Sequence, residues 1–239
     1  LDDGARPGQA AKSQGQVAFD EGRHGQCLRL AGNAWLDTGL SQQLLGKEFT
    51  IECWVRPEEH QAAHADIFGN HVSETLGIVL QQDAGKTNHY LAAYGTGSGQ
   101  WILTDSVYLT PNRWQHLAMV KSSASFKIYI NGILANSGQA TTDVGISPMP
   151  ITIGLGYTDS NRCFRGCIDD FRIWNLPIAD FSHADIDPLL AQRTRAQYLN
   201  PTPRPAVGPC ETTWSLATQD TSLSLGMTSA GQLAIVDLH

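Results

Sequence analysis

Residues 165–174, RGCIDDFRIW, form the stretch that decides the fold. Apolar and polar residues alternate in it, which predicts a β-strand whose side chains point in turn to two opposite faces. In strict alternation Phe171 and Ile173 share one face, which is predicted to be core, and Asp169 lies on the same face. An unpaired carboxylate is costly to bury, so this strand must supply Asp169 with a partner.

Similar short apolar runs recur along the chain, separated by Gly, Pro, Asn or Asp. Strands at such spacing predict an antiparallel β-sandwich or barrel with under about 15 % helix, less than in an average globular domain. In FKIYINGILANSG (126–138), Asn131-Gly132 predicts a two-residue type I′ hairpin, because both residues tolerate a positive φ. The clearest other runs are QCLRL (26–30), FTIECWVRP (49–57), LGIVLQQ (76–82), HYLAAY (89–94), WQHLAMVKS (114–122) and PITIGL (150–155).

Composition narrows the classes of function. The formal net charge is −7, the sequence pI is about 5.5, and Lys and Arg form no cluster, so nucleic-acid binding is not expected. No apolar run approaches the ~20 residues of a membrane-spanning helix. The polar start, LDDGARPGQAAKSQGQ, lacks the features of a signal peptide and indicates a mature form or an excised piece.

Five cysteines cannot all pair within the chain. Cys163 and Cys167 flank a short loop and are candidates for a disulfide. Cys27 and Cys53 lie in predicted strands, where a free Cys often serves as a small buried apolar residue. A secreted, periplasmic or cell-surface location is favoured over a cytosolic one, although cysteine usage alone does not decide it.

The pattern changes after Trp174. Ser182 precedes Asp185 by three residues, a variant of the capping box that predicts a helix N-terminus. Residues 200–209, NPTPRPAVGP, contain four prolines and are typical of a stiff linker. The chain is therefore divided into a leader segment (1–14), a main β-domain (15–187), a connecting helix and linker (188–209), and a last segment (210–239) that adds strands or begins a following β-sandwich.

Four segments in order resemble one known family: GQCLRLAGNAWLDTG (25–39), FTIECWVRP (49–57), NRWQHLAMVKSSASFKIYINGILANSG (112–138) and ITIGLGYTDSNRCFRGCIDDFRIWNLPIADFSHADI (151–186). Together they resemble the laminin-G-like, concanavalin A-like lectin/glucanase jelly-roll family, in the pentraxin-like branch attached to bacterial carbohydrate-active enzymes. The resemblance implies an all-β fold of two antiparallel sheets packed face to face. It does not assign a function, because the fold hosts lectins, adhesion modules, glycanases and inert spacers.

Three classes of function stay open: a non-catalytic, lectin-like carbohydrate-binding module, a structural or protein-interaction domain, and an enzyme whose active site lies outside this chain. The Glu-x-Asp-x-x-Glu string of the family's glycanase branch is absent, so the matching segment is expected to be non-catalytic. Residues 212–239 loosely resemble the opening strands of the N-terminal β-sandwich in α-galactosidase-like glycoside hydrolases. A glycan and a catalytic domain of the same polypeptide are therefore the expected partners.

Tyr94, Trp101, Tyr157 and Asn161 are the candidate carbohydrate-binding residues. An aromatic ring can stack on the apolar face of a pyranose, while an amide can bond to its hydroxyl groups. The alternative for each aromatic residue is packing against its neighbours within the fold.

Asp169 and Asp20 are the candidate metal ligands. The resemblance implies a structural Ca²⁺ near the start of the last strand, held by several oxygen atoms, with Asp20 as partner if the first and last strands are neighbours. The alternative is that backbone N–H groups or an Arg meet the charge of Asp169. His60 and His64 have the i,i+4 spacing of a helical metal pair, but they follow Pro57 and are expected to lie in a polar surface loop.

Overall fold

The computed structural model describes residues 11–156 and 159–199, and the backbone of 210–217, 222–228 and 233–238. The chain divides into two compact units, Leu1–Tyr198 and Leu199–His239. The first unit contains an α-helix, α1 (Pro188–Tyr198), and 3₁₀ turns at Gln42–Leu45, Ser160–Arg162 and Ser182–Ala184. Its strands are β1 (Lys12–Gln14), β2 (Ala18–Glu21), β3 (Gln26–Ala31), β4 (Trp35–Ser41), β5 (Phe49–Pro57), β6 (Asp66–Gly69), β7 (Ile78–Gln82), β8 (His89–Gly95), β9 (Trp101–Leu103), β10 (Val107–Tyr108), β11 (Gln115–Lys121), β12 (Ser125–Ile130), β13 (Ile133–Gln139), β14 (Pro150–Ile153) and β15 (Arg165–Trp174).

Two antiparallel sheets form the first unit. One has seven strands in the order β13-β12-β11-β5-β15-β3-β2. The other has eight, in the order β1-β4-β14-β6-β7-β8-β10, with β9 also paired to β8. The apolar core lies between them. The predicted all-β, two-sheet sandwich is therefore confirmed. In the second unit, β16 (Cys210–Ala217), β17 (Ser222–Thr228) and β18 (Leu233–Leu238) pair in sequence order into an antiparallel sheet.

The hairpin between β12 and β13 forms as predicted. Asn131 and Gly132 have φ values of 49° and 73°, and Ile130 pairs with Ile133 across the turn. Phe126, Ile128 and Ile130 share the face of β12 that points into the core.

The final strand of the sandwich, β15, departs from simple alternation. Its pairing with β5 shifts between Asp169 and Arg172, and Asp170 adopts a φ of 49°, which marks a β-bulge. Ile168 faces the core before the bulge, and Phe171 faces it afterwards. Asp169 therefore lies on the opposite, outward face, and its predicted placement beside Phe171 is wrong. One inserted residue resets the alternation, which strict period-two counting does not detect.

The outward face of the seven-stranded sheet is covered by residues 175–187, here called the cover segment. Phe181 and Ala184 of this segment form a small apolar cluster with residues of β11 and β12. Trp54 donates from Nε1 to the carbonyl of Ala184 at 3.2 Å. This second layer explains why β5, FTIECWVRP, is buried on both faces.

The helix after the cover segment begins later than the sequence predicted. Ser182 lies in a separate 3₁₀ turn, and α1 starts at Pro188, a position that suits proline because the first helical N–H has no partner. Asp187 Oδ1 accepts the N–H of Leu189 at 2.8 Å and caps the helix.

A buried carboxylate fastens the cover segment to the sheet. Glu52, on the outward face of β5, has a fully buried side chain. It accepts hydrogen bonds from His116 Nε2 at 3.0 Å, His183 Nε2 at 2.7 Å and Trp174 Nε1 at 2.8 Å. Burial alone raises the pKa of Glu52, but these three donors outweigh it and lower that pKa to about 2.

We predict that Glu52 makes the stability of the domain sensitive to acid. Because its folded pKa lies below the ordinary 4.5, the carboxylate stabilises the fold above about pH 4.5 and loses that effect as the pH falls towards 2. Glu52→Gln should lower the free energy of unfolding at pH 7 by about 3 kcal/mol. Urea unfolding between pH 7 and pH 2.5 should show the gap between the two proteins closing. Glu59→Gln, at an exposed position, is the control and should show no such closing. A gap that stays constant with pH would contradict the prediction.

Candidate functional site

A pocket of about 280 Å³ opens on the outward face of the eight-stranded sheet. Alternation along β7 creates its floor, because Ile78 and Leu80 point into the core while Val79 and Gln81 point outward. The described residues that line it are His64, His71, Val72, Ser73, Val79, Gln81, Ala93, Trp101 and Arg162.

Trp101, the first residue of β9, provides the aromatic wall of the pocket. It packs against a small apolar cluster of Val79, Leu91 and Ala93 on the outward face of the sheet. The His71 ring meets it edge-on, with centroids 5.8 Å apart and an interplanar angle of 83°. The indole is therefore held in place but remains partly exposed to the pocket.

Arg162, in the 3₁₀ turn before β15, is a cationic residue of the pocket lining. An isolated bridge between Asp66 and Cys163 holds this turn beside β6. Nη2 of Arg162 donates to Gln81 Oε1 at 2.5 Å and lies 3.4 Å from Asp66 Oδ1, and Nε donates to the His64 carbonyl at 3.3 Å. The guanidinium is thereby fixed against the pocket wall, with its side chain 18 % exposed.

Asp66 lies behind the guanidinium with a fully buried side chain. Its Oδ2 accepts the N–H of Gly156 at 3.1 Å. Burial raises the pKa of Asp66 to about 7, although the Arg162 charge and the Gly156 N–H act in the opposite direction. Burial therefore favours the neutral form of Asp66.

The two imidazoles of the pocket are held neutral. Burial, followed by the charge of Arg162, lowers the pKa of His71 to about 3. The same two causes lower the pKa of His64, whose Nδ1 lies 3.1 Å from Gln81 Nε2. At neutral pH both rings can donate or accept one hydrogen bond per nitrogen according to tautomer.

The candidate sugar-binding residues are distributed unevenly around this pocket. Trp101 lines it, and Asn161 is exposed beside Arg162 with its amide bonded to Asp159 Oδ1 at 2.9 Å. Tyr94 is fully buried between the sheets, where its ring meets Phe126 edge-on at 5.1 Å. A ring with no exposed face cannot stack on a sugar, so Tyr94 is a core residue and its predicted role is wrong. Tyr157 lies outside the described residues.

Sequence reasoning missed the polar half of the pocket. His71, Gln81 and Arg162 come from different loops and strands, and no motif joins them. His60 and His64 are both exposed in the loop after β5, as the sequence predicts, and His64 also lines the pocket. The positive φ of His64, 56°, has no counterpart in the sequence pattern.

A comparison with models of protein families identifies the family of the domain that contains this pocket. The model of the concanavalin A-like lectin/glucanases superfamily matches residues 30–180, which include every described residue of the pocket lining. The chain belongs to the concanavalin A-like lectin/glucanase superfamily. A comparison with curated proteins gave no match.

Solved structures show the same lectin/glucanase fold. Domain 4 of AbnA, a GH43 extracellular arabinanase from Geobacillus stearothermophilus in complex with arabinotriose, is 22 % identical, with a TM-score of 0.55 over 69 % of this chain and 78 % of that domain. The binding domain of Paraclostridial Mosquitocidal Protein 1 is 14 % identical, with a TM-score of 0.58 over 95 % of this chain and 63 % of its own. The binding domain of botulinum neurotoxin DC in complex with SialylT is 16 % identical, with a TM-score of 0.54 over 77 % of this chain and 47 % of its own. The chain therefore spans less than two thirds of either toxin domain.

Asp169 and Asp20, the candidate metal ligands of this lectin/glucanase domain, already have partners. Oδ2 of Asp169 accepts the N–H of His24 at 2.9 Å, and Oδ1 accepts the N–H of Asp170 at 2.8 Å. Asp20 lies 3.3 Å from the guanidinium of Arg56. Ca²⁺ requires several oxygens directed at the ion, so N–H donors and a neighbouring cation do not fit it. Among the described residues, no group of three or more His, Cys, Asp or Glu side chains could hold a metal ion.

The cysteines of the domain do not form the predicted bridge. Cys163 and Cys167 are both free and buried, as are Cys27 and Cys53. Cys163 lies at the bridge to β6, whereas Cys167 lies within β15 near Cys27 and accepts a hydrogen bond from Arg56 at 3.2 Å. The two thiols therefore have different neighbours and are not bonded to each other. No helix in the described part of the chain is long and apolar enough to cross a membrane.

We predict that Asp169 supports the fold without a metal ion. Asp169→Ala leaves two backbone N–H groups without their acceptor and should lower the free energy of unfolding by about 1–3 kcal/mol. Asp143→Ala is the control, because Asp143 forms an exposed ion pair with Lys47, and it should change stability by less than about 0.5 kcal/mol. Chemical denaturation measures both.

The same measurement with a chelator tests the metal directly. Wild-type stability should be unchanged by the chelator. Destabilisation of the wild type together with no effect on Asp169→Ala would contradict the prediction and indicate a bound cation at this residue.

Proposed function

We propose that the first unit is a non-catalytic, lectin-like carbohydrate-binding module and that the Trp101 pocket is its binding site. The observation that carries the proposal is the partly exposed indole of Trp101 at the wall of a pocket that is otherwise rich in polar groups. A sugar ring has an apolar face and a polar rim, and this arrangement offers a surface for each.

The dimensions of the pocket suit a small part of a glycan. Its volume of about 280 Å³ is just below the range for small-molecule sites, which run from about 300 to 1,000 Å³. The pocket therefore holds one or two sugar rings, and the rest of a longer glycan extends into solvent.

None of the described lining residues is a carboxylic acid, the group needed for glycoside hydrolysis. Inverting and retaining mechanisms both place two carboxyl groups on either side of the scissile bond. The described lining contains no Asp or Glu, and Asp66 is buried behind Arg162. Binding without hydrolysis is the function that this set of residues supports.

The comparisons support the same class of function. Domain 4 of the arabinanase AbnA was solved with arabinotriose, and a neurotoxin binding domain was solved with SialylT. These ligands belong to those proteins, and low identity limits the likeness to fold. They support the proposal that a glycan site lies on this fold.

We also propose that the module is secreted or displayed at the cell surface as an ancillary N-terminal part of a glycoside hydrolase. The resemblance of residues 212–239 to the opening strands of an α-galactosidase-like hydrolase supports this placement. The coding sequence downstream of His239 tests it. A catalytic domain in the same reading frame is expected, and a stop codon at that point would overturn the proposal.

We predict that Trp101→Ala abolishes glycan binding. Truncating an aromatic residue at the centre of a binding site typically costs about 2 kcal/mol or more, so affinity should fall more than tenfold. A glycan array identifies ligands of the wild type, and isothermal titration calorimetry compares variants on the strongest of them. Tyr108→Ala, an exposed aromatic residue that does not line the pocket, is the matched control and should bind as the wild type does.

Two results would overturn the proposed function. Retained affinity in Trp101→Ala would place the glycan elsewhere on the domain. Failure of the folded wild type to bind any glycan of the array would favour the alternative, a structural or protein-interaction module.

A further inference from the structure

We infer that Cys27 and Cys167 form a dithiol site, and that a small disulfide oxidant converts it to a stabilising cross-link between β3 and β15. Disulfide formation at this site does not depend on the proposed sugar binding. Three features support it: the register of the strands, the groups that contact the two sulfurs, and the exposure of the neighbouring edge strand.

Strand register places the two thiols on one face of the seven-stranded sheet. Cys167 pairs with Arg29, and Ile168 pairs with Leu28. Leu28 and Ile168 point into the core, so Cys27 and Cys167 both point outward. Cys27 lies two positions from Arg29 on the same strand and is therefore the diagonal neighbour of Cys167. The two thiols are close enough to interact through a hydrogen bond.

The other two described cysteines lie elsewhere in the domain. Cys53 belongs to the core between the sheets, and Cys163 bridges to Asp66 of β6. All four thiols are free and buried. Among the cysteines that the structure describes, Cys27 and Cys167 are thus the pair that two adjacent strands bring together.

Two guanidinium groups contact the sulfur of Cys167. Nη2 of Arg56 donates to it at 3.2 Å, and Nη1 of Arg29 donates at 3.8 Å. A cation beside a cysteine favours the thiolate, which is the form that attacks a disulfide. Burial, followed by the contact with Cys167, raises the pKa of Cys27 to about 12, and its thiol donates to the carbonyl of Glu21 at 3.5 Å. Cys167 is therefore the attacking sulfur, and Cys27 is the one that completes the disulfide.

Local opening of the edge strand β2 gives an oxidant access to the buried thiols. Cys27 pairs with Asp20 of β2, and all four residues of β2 are exposed. Phe19, the large apolar residue of this strand, is 56 % exposed, so β2 buries little apolar surface. The ion pair between Asp20 and Arg56 is partly exposed and adds little stability. An element with so few buried contacts opens at a low free-energy cost.

Closure of the disulfide requires a small movement of β3. The Cα atoms of bonded cysteines usually lie within about 7 Å of each other, which is the lower limit for diagonal neighbours in a sheet. β3 lies between β15 and β2 in the sheet. The same opening of β2 that admits the oxidant therefore also frees β3 to move towards β15.

Exchange with oxidised glutathione, a small disulfide, proceeds in two steps. The Cys167 thiolate attacks one sulfur of the oxidant, so that a mixed disulfide forms and one glutathione thiolate leaves. Cys27 then attacks the Cys167 sulfur, and the second glutathione leaves. The protons of the two cysteines end on the two glutathione thiols. Two protein thiols are thereby oxidised while one oxidant disulfide is reduced, a reaction that an oxidising compartment supports.

The test incubates the folded, reduced full chain with oxidised glutathione at neutral pH. Remaining thiols are alkylated, and the protein is digested without reductant for mass spectrometry. The expected product is a linked pair of peptides, one with Cys27 and one with Cys167, lighter by two hydrogen atoms than the reduced peptides together. Cys27→Ser should stop at Cys167 carrying glutathione. Cys163→Ser, which removes a buried thiol outside the pair, is the matched control and should cross-link as the wild type does.

The cross-link should also change stability. It closes a loop that contains most of the sandwich, and such a loop restricts the unfolded chain. The oxidised wild type should therefore unfold several degrees above the reduced protein in a thermal scan. Cys27→Ser treated with the same oxidant should show no such rise.

Three results would overturn the inference. A linked pair that contains Cys163 or Cys210 in place of Cys27 would assign the disulfide to other residues. Cross-linking of Cys27 to Cys167 only after unfolding in urea would show that the native fold does not bring these thiols together. A cross-linked wild type that unfolds at the same temperature as the reduced protein, or below it, would show that the bond does not stabilise the domain. The wild-type peptide map is decisive even where a variant fails to fold.

Discussion

The β-bulge at Asp170 controls the geometry of the seven-stranded sheet, because it lies in the strand that pairs with both β5 and β3. It allows Ile168 on one side and Phe171 on the other to reach the same core. It also places Trp174 on the outward face, where its indole reaches the buried carboxylate of Glu52. Without the extra residue, the alternation would turn one of these apolar groups outward and break the link between sheet and cover segment.

Much of the fold could be predicted from the sequence. Each predicted run became a strand, the Asn131-Gly132 hairpin formed, and the two-sheet sandwich followed from regular strand spacing. Which residues of β15 point inward could not be predicted, because a bulge inserts one residue without changing the composition of the strand. Two consecutive acidic residues between alternating segments, Asp169 and Asp170, are the local trace of it. The sequence did predict that the charge of Asp169 needs a partner. Backbone N–H groups supply it, which is one of the two alternatives that the sequence left open.

Only part of the candidate site could be predicted from the sequence. The sequence predicts Trp101 and Tyr94 equally as aromatic residues that could stack on a sugar. The phase of β8 separates them, because Tyr90, Ala92 and Tyr94 alternate inward and Ala93 points to the pocket. No sequence pattern marked Arg162 as a pocket residue. It enters the pocket only because its turn is held beside β6, a contact between segments almost a hundred positions apart.

The order of strands in the seven-stranded sheet has a consequence for how the chain folds. Ile168 pairs with Val55 on one side and with Leu28 on the other, so the middle of this sheet is assembled from the two ends of the domain. Sheets dominated by such distant pairings fold slowly, because the entropy of closing a long loop is lost before any stabilising contact forms. During synthesis β3 and β5 remain without their shared neighbour until the ribosome has released Trp174. A chain truncated before that residue would present two unpaired hydrophobic edges, and vectorial synthesis therefore leaves this domain exposed to aggregation until its last strand emerges.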